Sequence, residues 1–251
     1  MFEGSHLKIQ RAKSHIDQLK TLTESHIADN PYRMSIQSDP QGGLTVAVKG
    51  DKPIPNEIAL VIGDAIHNLR TALDHATWEL IGIDGGTQDR WTKLPASATG
   101  KVDYEAACRG LKTPRDDTKQ FFIDLAVYEG SGSPLYALHV LDNTDKHMIL
   151  LPMLAAARIS TINFLNPDGS TAMTMTDCTF GHGPDGVARL ASLGPGMSVE
   201  TDNNTKITPA IFFAPNQPLA GEPVLPTLDA LANQAAIAID AFTSFVVNRS
   251  K

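Results

Sequence analysis

The most chemically specific part of the sequence is one face of a helix predicted from Asn56 to about Ile81. Successive helical residues turn by about 100°, so the polar side chains of this segment fall in one stripe about 100° wide. They are Asp64, His67, Asn68, Thr71 and His75. Exposed helix faces usually carry Lys and Glu, and this stripe has neither. It predicts a polar site between helices; the alternative is a solvated face with a local Arg70–Asp74 pair.

A second polar group runs off the end of a helix predicted over 133–145. Its members are His139, Asp142, Asn143, Asp145, Lys146 and His147. His139 and Asp142 share one helix face because they are three residues apart. Since a helix end lies at the mouth of a bundle, we expect the two groups to form one polar pocket. The alternative is a C-terminal cap, in which Lys146 and His147 face the negative end of the helix dipole.

The same residues also allow a metal site. Each helix carries an Asp and a His three residues apart, as Asp64-x-x-His67 and His139-x-x-Asp142. If the helices face each other, these four side chains could hold a divalent ion and leave positions open for water. His75 or His147 would complete the ligand set. This hypothesis predicts a metal-dependent hydrolase with a divalent metal ion as its cofactor.

Composition narrows the function classes. The chain has 251 residues, of which 42% are hydrophobic and 20% charged, as in folded proteins. No apolar run reaches the roughly 18 to 20 residues that cross a bilayer, and the polar N-terminus lacks the features of a signal peptide. A net charge of −7 argues against a broad basic surface for DNA. We expect a cytoplasmic protein with no membrane partner.

Several common site motifs are absent from the sequence. It contains no GxxxxGK[ST], so no phosphate-binding loop is predicted. The glycines of 181–186 have GxGxxG spacing, but they lie in a predicted turn between two strands and not before a helix, so no dinucleotide cofactor is predicted. There is no GxSxG nucleophile elbow. Cys108 and Cys178 lie far apart, and neither belongs to a CxxC pair. The chemistry is therefore expected in the two polar helix segments.

The elements that position these segments follow from hydrophobic periodicity. Helices are predicted at 5–29, 56–81, 103–111, 116–128, 133–145 and 227–247, with Gly82 ending the second. Strands are predicted at 32–38, 44–49, 148–164, 171–179, 187–192, 197–201 and 208–213. This order indicates an α+β fold: a helical bundle over 1–148 with an inserted β-hairpin at about 32–49, an antiparallel β section over 149–222, and a C-terminal helix over 223–251 that packs on the rest.

Two motifs resemble a known group of proteins. The helix reads Gly63-Asp-Ala-Ile-His-Asn-Leu-Arg-Thr-Ala-Leu-Asp-His75, and Asn143-Thr-Asp-Lys-His147 follows about seventy residues later. A widespread family of uncharacterised bacterial and phage proteins carries the matching GDxxHNLRxALDH and NxDKH motifs. The resemblance covers about 30–155, and it identifies relatives without implying a reaction.

A more distant resemblance is to the HEPN superfamily, whose helical bundles often act as metal-independent ribonucleases in toxin and phage-defence systems. Their signature is Arg and His separated by four to six residues, and Arg70-Thr-Ala-Leu-Asp-His75 fits its shortest form. The resemblance implies that His75 moves the proton of the ribose 2′-hydroxyl and that Arg70 holds the scissile phosphate. Asn68 or Asp74 would orient them, and Asp145 and His147 would support the pocket. It also implies a homodimer, RNA as partner and no cofactor.

Three functions therefore remain open from the sequence. The favoured one is the HEPN-like ribonuclease, and the metal-dependent hydrolase is its rival. The third is a binding protein that catalyses nothing, in which the β section recognises a ligand or another protein.

Overall fold

A computed structural model describes residues 1–29, 33–38, 40, 42–49, 53–150, 152–178, 188–200, 207–215 and 217–249. Within these residues the chain forms six helices and seven strands. The helices are α1 (Glu3–Asp29), α2 (Asn56–Ile83), α3 (Lys101–Arg109), α4 (Asp116–Asp124), α5 (Pro134–His147) and α6 (Val224–Asn248). The strands are β1 (Arg33–Ser38), β2 (Leu44–Lys49), β3 (Pro152–Leu165), β4 (Thr171–Cys178), β5 (Ala188–Leu193), β6 (Ser198–Glu200) and β7 (Ile207–Phe213). This confirms the predicted α+β fold. Five residues of the predicted strands lie outside the described residues: Tyr32, Leu151, Thr179, Val187 and Thr201.

The chain forms two compact units. The first consists of Met1–Leu19, Ala59–Leu150 and Leu225–Lys251, and the second of Lys20–Ile58 and Leu151–Val224. The hairpin β1–β2, predicted to lie with the helices, belongs in the structure to the second unit, where β2 pairs with β5. Every polar segment singled out above lies in the first unit.

The first unit is built around the apolar face of α2. Its inward side chains recur every three or four residues, as a buried helix face requires, and all are at most 1% exposed: Ile62, Ile66, Leu69, Leu73 and Leu80. From α6, Phe242 packs edge-on against the rings of Phe2, Phe121 and Phe122, with centroid distances of 4.9–5.8 Å. Phe242 therefore links α6 to α4 and to the N-terminus.

The end of α2 differs from the prediction. The helix was expected to end before Gly82, but it continues to Ile83. Beyond it, Gly86 N–H donates to the Ile81 carbonyl at 2.9 Å and Gly85 N–H to the Gly82 carbonyl at 3.0 Å. This is a Schellman motif, and its left-handed residue is Gly85, with φ +73°. The prediction chose the wrong glycine as the end of the helix: Gly82 is helical, and Gly85 is the residue that ends it.

A buried ion pair ties this helix end to the rest of the unit. Asp84, whose side chain is fully buried, accepts hydrogen bonds from Thr113 Oγ1 at 2.7 Å and from Arg249 NH2 at 2.5 Å. Arg249 also donates to Thr118 Oγ1 of α4 at 2.9 Å and lies over the Phe245 ring. Because each carboxylate oxygen accepts a hydrogen bond, Asp84 tolerates burial. Through Arg249 it connects the ends of α2 and α6 with α4.

The second unit contains two antiparallel sheets. One has the order β1–β2–β5, and the other has β3 at its centre with β4 on one edge. β7 pairs with β3 from Pro152 to Ile159, and β6 pairs with the last three residues of β3. Buried side chains of both sheets form one apolar cluster: Val46, Val48, Leu190 and Leu193 with Ile162 and Phe164. This arrangement is that of a small sandwich.

α6 is long and apolar enough, by length and composition alone, to cross a membrane. No apolar run of the sequence predicts such a segment. Its apolar stripe is buried within the first unit through residues such as Leu228, Ala235 and Phe242. A helix buried in a protein core can be as long and as apolar as a membrane span.

Replacing Phe242 with Ala should destabilise the protein strongly. The change leaves a cavity among three aromatic rings, which costs about 3–5 kcal/mol of the free energy of unfolding. The matched control is Ile237→Ala on the same helix, since Ile237 is 59% exposed and its loss should change the free energy by at most about 0.5 kcal/mol. Urea unfolding followed by circular dichroism measures both, and equal destabilisation would contradict this packing.

Candidate active site

The candidate site lies along the contact between α2 and α5. Residues with rising numbers on α2 meet residues with falling numbers on α5, so the two helices run antiparallel. Gly63 lies against Asp145, His67 contacts Asp142, and the charge of Arg70 acts on His139. The segments of α2 and α5 that carry the two polar groups therefore lie against each other.

Asp142 lies at the middle of the contact between α2 and α5. Its side chain is only 2% exposed, and Oδ1 lies 3.1 Å from His67 Nδ1. Its second oxygen, Oδ2, accepts a hydrogen bond from Lys146 Nζ at 2.5 Å. A buried carboxylate acts only as an acceptor, so His67 carries a proton on Nδ1. The neutral ring therefore leaves Nε2 without a proton.

His67 has the position of a general base. Its side chain is 55% exposed, and Nε2 lies 3.4 Å from the Thr71 hydroxyl on the outer face of α2. A histidine that one carboxylate orients through Nδ1, and whose Nε2 faces outwards, can take a proton from a substrate. Of the histidines singled out in the sequence, His67 has this arrangement.

Neighbouring polar groups come from α1 and α2. Asn68 accepts a hydrogen bond from Lys8 Nζ of α1 at 3.3 Å and donates to the Asp64 carbonyl at 2.8 Å. Lys8 was not singled out in the sequence, because nothing in the pattern of α1 distinguishes it from other surface lysines. Lys8 and Lys146 bring two positive charges to the surroundings of His67.

Asp145 lies at the next contact, against Gly63. A Cβ added to Gly63 would lie 2.5 Å from both carboxylate oxygens, so a larger residue here would displace the Asp145 side chain. Burial raises the pKa of Asp145, and repulsion from Asp142 and Asp64 acts in the same direction, whereas the hydrogen bond from the Leu150 N–H lowers it.

Arg70 and Asp74 hold the loop that follows α2. The two side chains form the expected i, i+4 ion pair at 2.9 Å, and Arg70 is 3% exposed. Arg70 NH2 donates to the Leu94 carbonyl at 2.6 Å, and the Leu94 N–H donates to Asp74 Oδ1 at 3.0 Å. The pair therefore anchors the backbone of Leu94, and Arg70 points into the unit.

His75 is separated from Arg70. Its ring is exposed and lies against Gly4 of α1. Five helical residues turn by about 500°, which leaves the two side chains about 140° apart. The structure therefore brings His67 and Asp142 together, and it does not bring Arg70 and His75 together within one chain.

The four residues of the metal hypothesis are only partly grouped. His67 and Asp142 touch, while Lys146 occupies the second oxygen of Asp142. His139 Nε2 lies 3.0 Å from the Asn143 amide nitrogen, and Asp64 is exposed. Across the residues that the structure describes, no group of three or more His, Cys, Asp or Glu side chains is arranged to hold a metal ion. His147 is exposed at the end of α5.

A cavity of about 490 Å³ lies beside His139. Burial lowers the pKa of His139 from 6.5 to about 4, and the nearby charge of Arg70 adds to this effect. The opposite wall comes from the loop after α2, including Trp91 and Lys93. The sequence offered no sign of these two residues as site residues, because the cavity depends on how Arg70 and Asp74 hold that loop.

No protein-family model, curated protein or solved structure matches this chain. Its function is therefore inferred from the chemistry of these residues.

Replacing Gly63 with Ala should displace the Asp145 carboxylate from its position against α2. The new methyl group would overlap the Asp145 carboxylate, and such overpacking costs about 1–3 kcal/mol. The matched control is Gly4→Ala, another helical glycine, where a Cβ would lie 3.4 Å from His75 Nδ1 and helix propensity should add up to about 1 kcal/mol. Urea unfolding compares them. Adding Asp145→Ala to Gly63→Ala should restore stability, and no difference between the two glycine variants would contradict the close approach.

The buried His139 should make stability depend on pH. Between pH 6.5 and about 4 the unfolded chain binds a proton at this residue and the folded chain does not. The free energy of unfolding should therefore fall as the pH is lowered through this range. His139→Gln should flatten the dependence, measured by urea unfolding at several pH values. The exposed His6 is the control, since His6→Gln should keep the wild-type slope. The raised pKa of Asp145 acts in the opposite direction in all three proteins and cancels in the comparison.

Proposed function

We propose that this protein is a metal-independent ribonuclease in which His67, oriented by Asp142, is the general base. The observation that carries the proposal is the contact between the buried Asp142 carboxylate and Nδ1 of a half-exposed histidine. RNA is the substrate that suits a histidine base acting without a metal, because its own 2′-hydroxyl is the nucleophile.

The proposed reaction is a transfer within the RNA backbone. His67 Nε2 takes the proton of the 2′-hydroxyl, and the 2′-oxygen attacks the neighbouring phosphorus. The bond from phosphorus to the 5′-oxygen breaks, and that oxygen takes a proton from water. The products are a 2′,3′-cyclic phosphate and a 5′-hydroxyl. Asp142 stabilises the protonated imidazole and holds its tautomer.

Lysines supply the positive charge that this reaction needs. The transition state gains negative charge on the phosphate oxygens, and cations near it lower its energy. Lys146 reaches the site through its contact with Asp142, and Lys8 through its contact with Asn68. With only a few lysines and a net charge of −7, we expect RNA binding to be weak and to involve few phosphates.

The proposal changes the residue roles that the HEPN resemblance implies. Arg70 is buried and bonded to Leu94 and Asp74, so we assign it to anchoring the loop rather than to the phosphate. His67 takes the role of His75 as the base. A homodimer and a setting in toxin or phage-defence systems stay part of the proposal through the resemblance.

Labelled RNA incubated with purified protein, in parallel with and without chelator, tests this function. The wild type should produce fragments that end in a 2′,3′-cyclic phosphate, while His67→Ala should slow cleavage by about 100-fold or more, because the general base is lost. Asp142→Asn should also slow it, since an amide cannot hold the same tautomer. His6→Ala, which removes an exposed histidine from α1, is the matched control and should cleave like the wild type.

Four results would contradict the proposal. Cleavage by His67→Ala at the wild-type rate would point to a contaminant, and no cleavage by any protein would remove the activity. Loss of cleavage in His75→Ala but not in His67→Ala would move the base to His75. Cleavage that the chelator abolishes would favour the metal-dependent hydrolase.

A further inference from the structure

The cavity beside His139 has the size and lining of a ligand site. Its volume of about 490 Å³ is within the range usual for small-molecule pockets, about 300–1,000 Å³. It lies in the first unit, between α5, α3 and the loop after α2. Neither the ribonuclease nor its alternatives gives this cavity a task.

Two buried hydrogen-bond donors near the cavity have no acceptor. Asn143 Nδ2 can only donate, so His139 Nε2 accepts from it and the neutral ring carries its proton on Nδ1. His139 Nδ1 and Arg70 NH1 are buried, and neither has a partner among the described residues. Buried donors without acceptors are uncommon in folded proteins. Both donors require an oxygen acceptor or a negative charge.

The rim of the cavity adds a positive charge and an aromatic surface. Lys93 lines the cavity and is exposed, and it forms no ion pair within the described part of the chain. Lys112, also in the lining, is neutralised by Asp89 at 2.6 Å. Trp91 is 69% exposed, and the Arg90 guanidinium lies 4.8 Å from the centre of its ring. An exposed tryptophan beside an unpaired lysine suits a ligand with a planar ring and an anionic group.

We propose that this cavity binds a small ligand that carries an oxyanion and a planar ring. The oxyanion contacts Lys93 and accepts the Nδ1 proton of His139, and the ring stacks on Trp91. Because Nδ1 is buried, this contact requires the His139 ring, held by the hydrogen bond from Asn143, to rotate towards the cavity, as side chains often do on binding. Arg70, which is bonded to the cavity residue Leu94, adds positive charge behind this wall.

Calorimetric titration of the full chain with four probes tests the site. Adenosine monophosphate and benzoate each combine a ring with an oxyanion, the first as phosphate and the second as carboxylate. Adenosine offers the ring alone, and inorganic phosphate offers the anion alone. At least one of the two combined probes should bind the protein. Adenosine and inorganic phosphate should each bind the protein at least tenfold more weakly than that probe does. The combined probe that binds more tightly is the better probe, and it is used with the variants.

Variants locate the binding. Lys93→Met and His139→Phe should each weaken the better probe by about tenfold, the usual effect of losing a hydrogen bond to a charged group. Lys93 is exposed, so its variant keeps the test valid if His139→Phe does not fold. The control is Lys101→Met, which removes a lysine that is 66% exposed and outside the cavity lining, and it should bind like the wild type.

The proposal is overturned if neither combined probe binds at millimolar concentration, or if adenosine or phosphate binds as well as both of them. It is also overturned if Lys93→Met binds the better probe as the wild type does. None of these results bears on RNA cleavage by His67, because the cavity proposal does not rest on that activity.

Discussion

The arrangement of the candidate site depends on one buried carboxylate. Asp142 lies almost entirely out of solvent, and a charge in that position is tolerated only if both oxygens have donors. One donor comes from α2 through His67, and the other from the next turn of α5 through Lys146. This requirement determines which face of α2 packs against α5. It also makes His67 the histidine whose ring a carboxylate orients.

The contacts on either side of Asp142 follow from the same packing. Gly63 admits the Asp145 carboxylate against the backbone of α2, and a larger residue would not. On the other side, Arg70 lies close to His139 and is bonded to the loop at Leu94. The contact between α2 and α5 thus carries His67 at its exposed face, and its other end supports the wall of the cavity beside His139.

Much of the fold was predictable because it depends on local patterns. The 3.6-residue period of α2 and α6, the proline that begins α5, and the alternation of the strands each act within a few neighbouring residues. The turn at the end of α2 was misplaced, because Gly82 and Gly85 are both suitable glycines and only the hydrogen bonds of the following loop select between them. The pairing of β2 with β5 joins segments about 140 residues apart, and no local pattern encodes it.

For the site, the sequence by itself determined which residues share a helix face, since that follows from their spacing. It established the polar stripe of α2, the Asp and His pairs, and the Arg70–Asp74 pair. Only the tertiary structure decided that His67 meets Asp142, that Arg70 turns inwards and that His75 lies against α1. The physical reason is that the rotation of a helix about its axis is set by what its neighbours bury, and α2 has neighbours on several sides. The cavity with Trp91 and Lys93 is likewise tertiary, because its wall is a loop with no periodicity, held by side chains about twenty residues away.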